Sequence, residues 1–199
     1  MEARDIILKA TLRQFMQKGY EKTSMNDIVE ESNYTKGAIY HHFKNKRQLY
    51  LEVIIHIFKE FHEWEYGIYR NCKDLRELLY TYFDTMHRVK DFLVKITDQK
   101  GTKEHEFLLL ITEAITKFPE IKKLHSETHK ESLKKVISIF QNAKEQGLIN
   151  SEISLYTLSV MIQALNEGTM IYHILNEKLD LEKIAKEYSE IVWNTIKKR

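Results

Sequence analysis

Residues 23–50, TSMNDIVEESNYTKGAIYHHFKNKRQLY, predict two short helices joined by a tight turn and followed by the start of a third helix. Ser24 is suited to cap the first helix, with Asp27 three positions later as the acidic partner of a capping box. Asn33 falls in the turn and is one of the few residue types other than glycine that tolerate a left-handed backbone. Thr35 is then placed to cap the second helix. The stretch therefore predicts a helix-turn-helix.

The second of these helices, over residues 36–42, has one apolar face. Ile39 and Phe43 lie four residues apart and point to the core, which leaves the opposite face to solvent. In a helix-turn-helix the second helix enters the DNA major groove, and Gly37 keeps its surface low enough for a close approach. Hydroxyl, imidazole and ammonium groups have the reach and charge for phosphate and base contacts. The residues that we predict to contact DNA are Thr23, Tyr34, Thr35, Lys36, Gly37, Tyr40, His41 and Lys46.

The run TKGAIYHHF at residues 35–43, with Asn45, Lys46 and Leu49 after it, resembles the DNA-binding signature of the tetracycline-repressor (TetR) family. The family often carries Ala-Gly-Val-Ser before its recognition helix, where this chain has Ser-Asn-Tyr-Thr at residues 32–35. The tyrosine in place of a small aliphatic residue indicates altered base or phosphate contacts. The resemblance begins upstream, with Ile7, Leu8, Ala10, Phe15, Gly19, Tyr20, Thr23, Asp27 and Ile28 in the family's order and spacing.

The resemblance implies an all-α fold with two domains. Residues 1–47 would form a three-helix helix-turn-helix DNA-binding domain, and residues 48–199 a helical effector-binding and dimerisation domain. It also implies a transcriptional regulator, a ligand-responsive repressor that binds a palindromic operator in double-stranded DNA. A homodimer through the last two helices would suit this function, because a dimer reads half-sites about 34–36 Å apart. An unknown small molecule would be the effector.

Helical periodicity continues through the rest of the chain. Apolar residues recur at steps of three and four, and no Gly/Ser/Pro linker separates the first helices from the later ones. The only proline, Pro119, is suited to a first helical position, and Gly147 to a helix end. The predicted helices cover residues 2–18, from about 45 to 67, 74–95, 103–117 and 119–147, with two final helices capped by Ser154 and Asp180.

Composition sets further limits. The chain of 199 residues is 43% hydrophobic and 30% charged, with one proline, which is typical of a helical globular protein. Cys72 is the single cysteine and cannot form an internal disulfide, which favours a reducing, cytoplasmic location. No signal peptide is evident, and no apolar run reaches the roughly 18–20 residues needed to span a bilayer. Net charge is only +2, but residues 1–50 hold nine Lys and Arg against six Asp and Glu.

Aromatic and methionine side chains in the middle and late helices suggest an effector cavity. An apolar ligand needs such a lining together with a few polar anchors, although each residue could instead be ordinary core. The predicted ligand-binding residues are His62, Trp64, Tyr66, Tyr69, Tyr82, Met86, Phe107, Phe118, Met161, Asn166 and Met170.

Other functional classes have less support. His125 and His129 lie four apart on a predicted helix and could both face a metal ion, but no further ligand is evident, and solvated histidines are the preferred interpretation. The sequence has no nucleophile elbow, Gly-rich phosphate loop or paired-carboxylate signature. We therefore predict neither an enzyme nor a bound cofactor or metal. The main alternative is a helical protein-interaction module in which the helix-turn-helix serves as scaffold.

Overall fold

The computed structural model describes residues 3–150, 152–176 and 179–198. Within these ranges the chain is all-α, as predicted: it forms nine helices and one isolated β-bridge between Ile149 and Lys197. Residue 2, where the first helix was expected to begin, lies outside the described residues. No helix in the described ranges is both long and apolar enough to cross a membrane. The helices are α1 (Ala3–Lys22), α2 (Met25–Ser32), α3 (Lys36–His42), α4 (Lys46–Tyr69), α5 (Leu75–Thr97), α6 (Glu104–Lys117), α7 (Pro119–Glu145), α8 (Leu155–Asn176) and α9 (Leu181–Ile196).

Side-chain caps define where the short helices begin. The Ser24 hydroxyl accepts the Asp27 N–H at 3.2 Å, and the Asp27 carboxylate accepts the Ser24 N–H at 2.6 Å, which completes the predicted capping box. The Thr35 hydroxyl accepts the Ala38 N–H at 3.2 Å and caps α3. Asp180 caps α9 in the same manner. These caps satisfy amide groups that have no partner within their own helix, and all of them were predicted.

Two residues with positive φ shape the chain before and after α2. Asn33 adopts the left-handed conformation, φ 56° and ψ 22°, and ends α2 as predicted. Gly19 has φ 74° and ψ 169°, a region open essentially only to glycine. The prediction that α1 ends at Gly19 is only partly right, because the helix kinks there and then continues to Lys22. The kink redirects the chain towards α2.

The chain divides into two compact units. Unit 1 comprises Met1–Trp64 and Lys90–Leu124, and unit 2 comprises Glu65–Val89 and His125–Arg199. Helices α4, α5 and α7 contribute residues to both. Unit 1 thus includes much more of the chain than the predicted DNA-binding domain at residues 1–47, and that domain boundary stays a prediction.

The core of unit 1 lies beneath the helix-turn-helix. Helices α1, α2 and α3 each contribute apolar side chains that are almost wholly buried, and α4, α5, α6 and the start of α7 complete the cluster. Phe15 and Tyr50 meet edge to face with their ring centroids 4.8 Å apart. The largest fully buried side chains include Phe15, Ile28, Ile39, Phe43, Leu49, Tyr50 and Phe92. Residues distant in sequence therefore determine how the first three helices pack.

Unit 2 has a separate core formed by α5, α7, α8 and α9. Gly147, with φ 71°, follows the end of α7, as predicted. The connector after it pairs with the end of α9, because the Asn150 N–H donates to the Ile196 carbonyl at 2.8 Å and the Lys198 N–H donates to the Leu148 carbonyl at 3.0 Å. These bonds fix the last described turn of the chain against the start of the α7–α8 connection.

The capping box gives a stability prediction. We expect Ser24→Ala to lower the free energy of unfolding by about 1 kcal/mol, because the Asp27 amide loses its cap. Urea denaturation followed by circular dichroism measures the change. Ser126→Ala is the control, since Ser126 is exposed in the interior of α7 and alanine is the better helix former there. Equal loss in both variants would contradict a specific role for the cap.

Candidate functional site

The helix-turn-helix places α3 on a buried apolar base. Ile39 and Phe43 have no exposed surface, and Ile28 from α2 is equally buried in the same cluster. The two helices are separated by residues 33–35, and Thr35 caps the second. Because Ile39 of α3 and Phe43 directly after it are both buried, the direction of the opposite face of α3 is set. The predicted motif is therefore present with its expected inner and outer faces.

The outward face of α3 carries most of the predicted DNA contacts. Thr35, Lys36, Gly37 and His41 are exposed, and Tyr40 is 42% exposed. A side chain added at Gly37 would meet no atom within 4 Å, so the glycine leaves a low and open stretch of helix surface. Tyr34 is half-buried and packs against the core of unit 1. The structure thus brings these groups to one surface, and their contact with DNA stays a prediction.

Two of the predicted DNA contacts have side chains that are used inside the protein. Thr23 is 1% exposed, and its hydroxyl donates to the Gly19 carbonyl at 2.8 Å. The Lys46 ammonium donates to the carbonyls of Tyr20 at 2.9 Å and Thr23 at 3.1 Å, and lies 4.4 Å from the centre of the Tyr20 ring. Both groups therefore hold the segment between α1 and α2, which is a structural role that the sequence did not reveal.

A carboxylate on α6 holds the same segment from another side. Glu113 accepts the Tyr20 N–H at 3.0 Å and pairs with Lys117 at 2.9 Å. Burial alone would raise the pKa of Glu113, but these two donors lower it below the ordinary value. The carboxylate thus stays charged and fixes the kinked end of α1. Sequence reasoning missed Glu113, because its partner lies 93 residues away.

Charge at the start of α2 is balanced locally. The Lys18 ammonium lies 2.6 Å from Asp27, and this hydrogen bond, together with those from Ser24, holds the pKa of the Asp27 carboxyl well below its usual range. An ionised carboxylate at a helix N-terminus is favourable because of the helix dipole.

The other cations near α3 differ in whether they are paired. Arg47, at the start of α4, is paired with Glu120 at 2.5 Å. Lys36 and Lys44 are exposed at the two ends of α3.

The predicted ligand-binding residues fall into both units. Trp64, Phe107 and Phe118 belong to unit 1, where Trp64 lies 5.4 Å from the ring of Phe92 and Phe118 stacks on Tyr50 at 4.8 Å. These contacts are those of ordinary core. Of the others, His62, Tyr66 and Met161 are exposed, while Met86 and Met170 pack in the core of unit 2. None of these placements tests ligand binding, so the assignment stays a prediction.

Three predicted ligand-binding residues meet in unit 2. The rings of Tyr69 and Tyr82 lie 6.3 Å apart and nearly parallel, at 23°. The Asn166 amide donates to the Thr85 hydroxyl at 3.4 Å, and Asn166 also interacts with the Tyr82 hydroxyl. The Tyr69 hydroxyl donates to the Glu65 carboxylate at 3.3 Å. We call Glu65, Tyr69, Tyr82, Thr85 and Asn166 the Glu65 cluster.

Glu65 and Thr85 were missed by sequence reasoning. A signal for Glu65 was present, because it lies four residues after Phe61 and four before Tyr69, in line with an aromatic face at helical spacing. Burial raises the pKa of Glu65 to about 7, against the opposing effects of the Tyr69 hydrogen bond and the charge of Lys135. The cluster therefore holds a carboxyl group that is only partly ionised near neutral pH.

The histidine pair lies on the surface of α7. His125 and His129 stack with their ring centroids 6.1 Å apart, and a carboxylate oxygen of Glu167 lies 4.0 Å from the Nδ1 of His129. Among the described residues, no group of three or more His, Cys, Asp or Glu side chains is arranged to hold a metal ion.

Comparison with known proteins shows which family of DNA-binding domains the helix-turn-helix matches. The family described as "Bacterial regulatory proteins, tetR family" matches residues 7–53. The chain is also similar to the transcriptional regulator AcrR of Shigella flexneri, at 23% identity over 96% of this chain and 87% of that protein. Residues 7–53 are therefore a DNA-binding domain of the TetR type.

Other similarities agree with this TetR assignment. A probable acrEF/envCD operon repressor of Escherichia coli K12 is 43% identical over 53 residues, which span 27% of this chain and only 24% of that repressor. A TetR-family regulator from Cytophaga hutchinsonii has the same fold, with a TM-score of 0.80 at 20% identity, over 98% of this chain and 95% of that one. The matched relatives are regulators of transcription rather than enzymes.

The position of Lys46 gives a second prediction. We expect Lys46→Ala to lower the free energy of unfolding by about 1–2 kcal/mol, because it removes a charged donor from carbonyls at the end of α1. Thermal and urea denaturation measure the loss. Lys44→Ala, at an exposed neighbouring position, is the control. An unchanged stability with weakened DNA binding would instead support the role predicted from the sequence, a phosphate contact.

Proposed function

We propose that this protein is a ligand-responsive transcriptional repressor that binds a near-palindromic operator as a homodimer. The observation that carries the proposal is the outward face of α3, open at Gly37 and exposed at Lys36 and Tyr40, on a fully buried base of Ile39 and Phe43. Such a helix can enter a major groove without any rearrangement of the core. The family relationship supports the same role.

Each group on α3 has a distinct task in this proposal. Lys36 neutralises a phosphate, and Tyr40 donates its hydroxyl to another. His41 and Thr35 are within reach of base edges, and Gly37 admits the DNA backbone to the helix surface. Lys46 and Thr23 act indirectly, because their donors hold the segment that leads into α2.

An exposed apolar stripe on α8 supports a dimer. Tyr156, Val160, Ala164 and Gly168 follow at steps of four and are all exposed, and Leu175 continues the stripe at 75% exposure. A long apolar stripe in contact with water is costly and marks an interaction surface. The small residues at its centre allow a second helix to approach closely. Ile191 adds an exposed apolar side chain on α9. A second copy of this chain would cover both helices.

Ligand response requires that the effector prefer one of two states. A molecule that bound both states equally would shift nothing, and a coupling of about 1–3 kcal/mol is typical of such switches. The predicted aromatic, methionine and polar residues of unit 2 supply the candidate site, and the Glu65 cluster is its most polar part.

Selection of bound sequences from random duplex DNA tests the whole proposal. We expect the enriched sequences to have two-fold symmetry, with half-site centres one or more helical turns apart. The gel shift of the selected duplex should then be reversed by unlabelled duplex of the same sequence. Failure to bind any duplex at low ionic strength would instead favour a helical protein-interaction module.

Lys36 and Tyr40 give a prediction on salt dependence. Lys36→Ala should reduce the slope of log affinity against log salt by about 0.9 per protomer, because one counterion fewer is released. Tyr40→Phe should weaken binding with an unchanged slope, because it removes a neutral donor. Fluorescence anisotropy across a salt titration measures both. Lys134→Ala, exposed on α7, is the charge-matched control, and an equal change of slope there would refute the assignment of Lys36.

The stripe on α8 gives a prediction on oligomeric state. The wild-type protein should have a dimer mass by light scattering at micromolar concentration. Leu175→Glu should shift it to the monomer mass of 23.9 kDa, because a charge at a buried apolar interface is costly. Leu109→Glu is the matched control, since Leu109 is 66% exposed on α6. Dimers that persist in Leu175→Glu would exclude this face as the interface.

A further inference from the structure

A surface cavity of about 650 Å³ lies in unit 2, where the connector after α7 meets the end of α9. Its volume falls in the range of about 300–1,000 Å³ that is usual for small-molecule sites. The described residues that line it include none of the predicted ligand-binding residues. Its charged side chains are those of Lys144, in the last turn of α7, and of Lys197 and Lys198, which follow α9.

Backbone hydrogen bonds hold the two sides of this cavity together. The Asn150 N–H donates to the Ile196 carbonyl at 2.8 Å, and the Lys198 N–H donates to the Leu148 carbonyl at 3.0 Å. These two bonds form an isolated β-bridge between the connector and the end of α9. A site whose walls are already fixed loses less conformational entropy when a ligand binds. The lysines are therefore attached to a backbone that needs no rearrangement before binding.

The polar side chains of the cavity leave hydrogen-bond donors for a ligand. The Asn150 Oδ1 accepts the Glu152 N–H at 3.0 Å, and the Asn194 Oδ1 accepts the Lys197 ammonium at 2.7 Å. Each amide oxygen thus has a donor already, while each side-chain NH₂ group can still donate. A lysine ammonium has three donor protons and no acceptor. The cavity therefore presents mainly donors, which is the chemistry of an anion site.

The positive charge of the three lysines is not balanced within the cavity. No acidic side chain lines it among the described residues, and none of the three lysines is paired with a carboxylate in that part of the chain. Glu145, next to Lys144, accepts a hydrogen bond from Gln141 at 2.7 Å. Lys183 and Lys186, earlier in α9, are each paired with a glutamate four residues away. A bound anion would supply the opposite charge that the cavity lacks.

The use of lysine favours a phosphoryl group over a carboxylate. The planar guanidinium fork of arginine matches a planar carboxylate, whereas a lysine ammonium acts as a point charge and is a common phosphate ligand. A phosphoryl group carries a charge of about −1.5 to −2 near neutral pH and has three acceptor oxygens. The ammonium groups at the end of α7 and after α9 can approach such a group from two sides. The cavity is also larger than one phosphoryl group requires, so it has room for an organic part.

We propose that this cavity binds a small phosphorylated compound, with Lys144, Lys197 and Lys198 as its counter-charges and the amides of Asn150 and Asn194 as neutral donors. The site is separate from the predicted effector residues and does not depend on the proposed regulatory function. It requires neither an operator nor a second copy of the chain. Lysines near helix C-termini are also favoured by the helix dipole without any ligand, so the test must separate these two roles.

Inorganic pyrophosphate is a suitable probe, because it carries phosphoryl charge without an organic part. Titration calorimetry of the 199-residue chain in metal-free buffer, at constant ionic strength, gives the dissociation constant and the stoichiometry. Lys144→Gln and Lys197→Gln each remove one positive charge and keep a side chain that can donate. Lys183→Gln is the charge-matched control, since Lys183 is exposed on α9 and does not line the cavity. Thermal unfolding followed by circular dichroism verifies that each variant is folded.

We expect one saturable site per chain in the wild type and in Lys183→Gln, and a dissociation constant at least about tenfold higher in each cavity variant. Absence of saturable binding by the wild type would overturn the proposal and leave the lysines only their helix-dipole role. An equal loss in all three variants would also overturn it, because it would indicate diffuse attraction to positive charge. Gel shifts with the selected duplex add a further test. Loss of duplex binding in Lys144→Gln but not in Lys183→Gln would assign the cavity lysines to DNA instead.

Discussion

The burial of Ile39 and Phe43 beneath α3 is the contact on which the proposed function depends. Both side chains are fully buried in one core with Phe15 and Leu49. Each contributes about 1.5–3 kcal/mol relative to an exposed position. Rotation of α3 about its axis would expose them and is therefore strongly opposed. A helix of only seven residues gains its orientation from this packing, since so short a helix has little stability of its own.

The second constraint acts on the segment between α1 and α2. Gly19 kinks α1, and the polar groups around the kink are then satisfied by Thr23, by Lys46 and by Glu113. Two of these partners come from elements beyond the helix-turn-helix, α4 and α6. A shift of α4 or α6 would disturb the hydrogen bonds that hold the segment leading into α2. This is the kind of connection that a ligand-dependent change of DNA binding requires, because the coupling must pass through contacts that differ between two states.

Helix α8 has apolar or weakly polar side chains around most of its circumference, and its sides serve different purposes. Ile162 and Leu158 face the core of unit 2. Asn166 joins the Glu65 cluster, and the stripe that includes Ala164 and Gly168 is exposed. A helix that is apolar on all sides belongs in an interior. The exposed stripe therefore becomes interior only when a second protein surface covers it, which is the physical basis of the proposed dimer.

Short-range patterns in the sequence were enough to predict the helical fold and the helix-turn-helix of this protein. The caps at Ser24 and Thr35, the left-handed Asn33 and the apolar spacing of Ile39 and Phe43 act within a few residues of one another, so they could be recognised without a structure. The helical class and the family resemblance follow from the same short-range patterns. The helix boundaries were close for the same reason, with the kink at Gly19 as the exception.

Only the tertiary structure decided which polar side chains face inward. Lys46 has the sequence context of a phosphate contact, yet its ammonium is used by carbonyls that lie 23 and 26 residues before it. Glu65 is a residue type that usually lies on the surface of a helix, but its carboxylate bonds to Tyr69, whose ring stacks on Tyr82 of α5. Such partners are brought together by packing between helices. The partners on different helices lie far apart along the chain and do not recur at helical spacing, so these roles could not be deduced from the sequence.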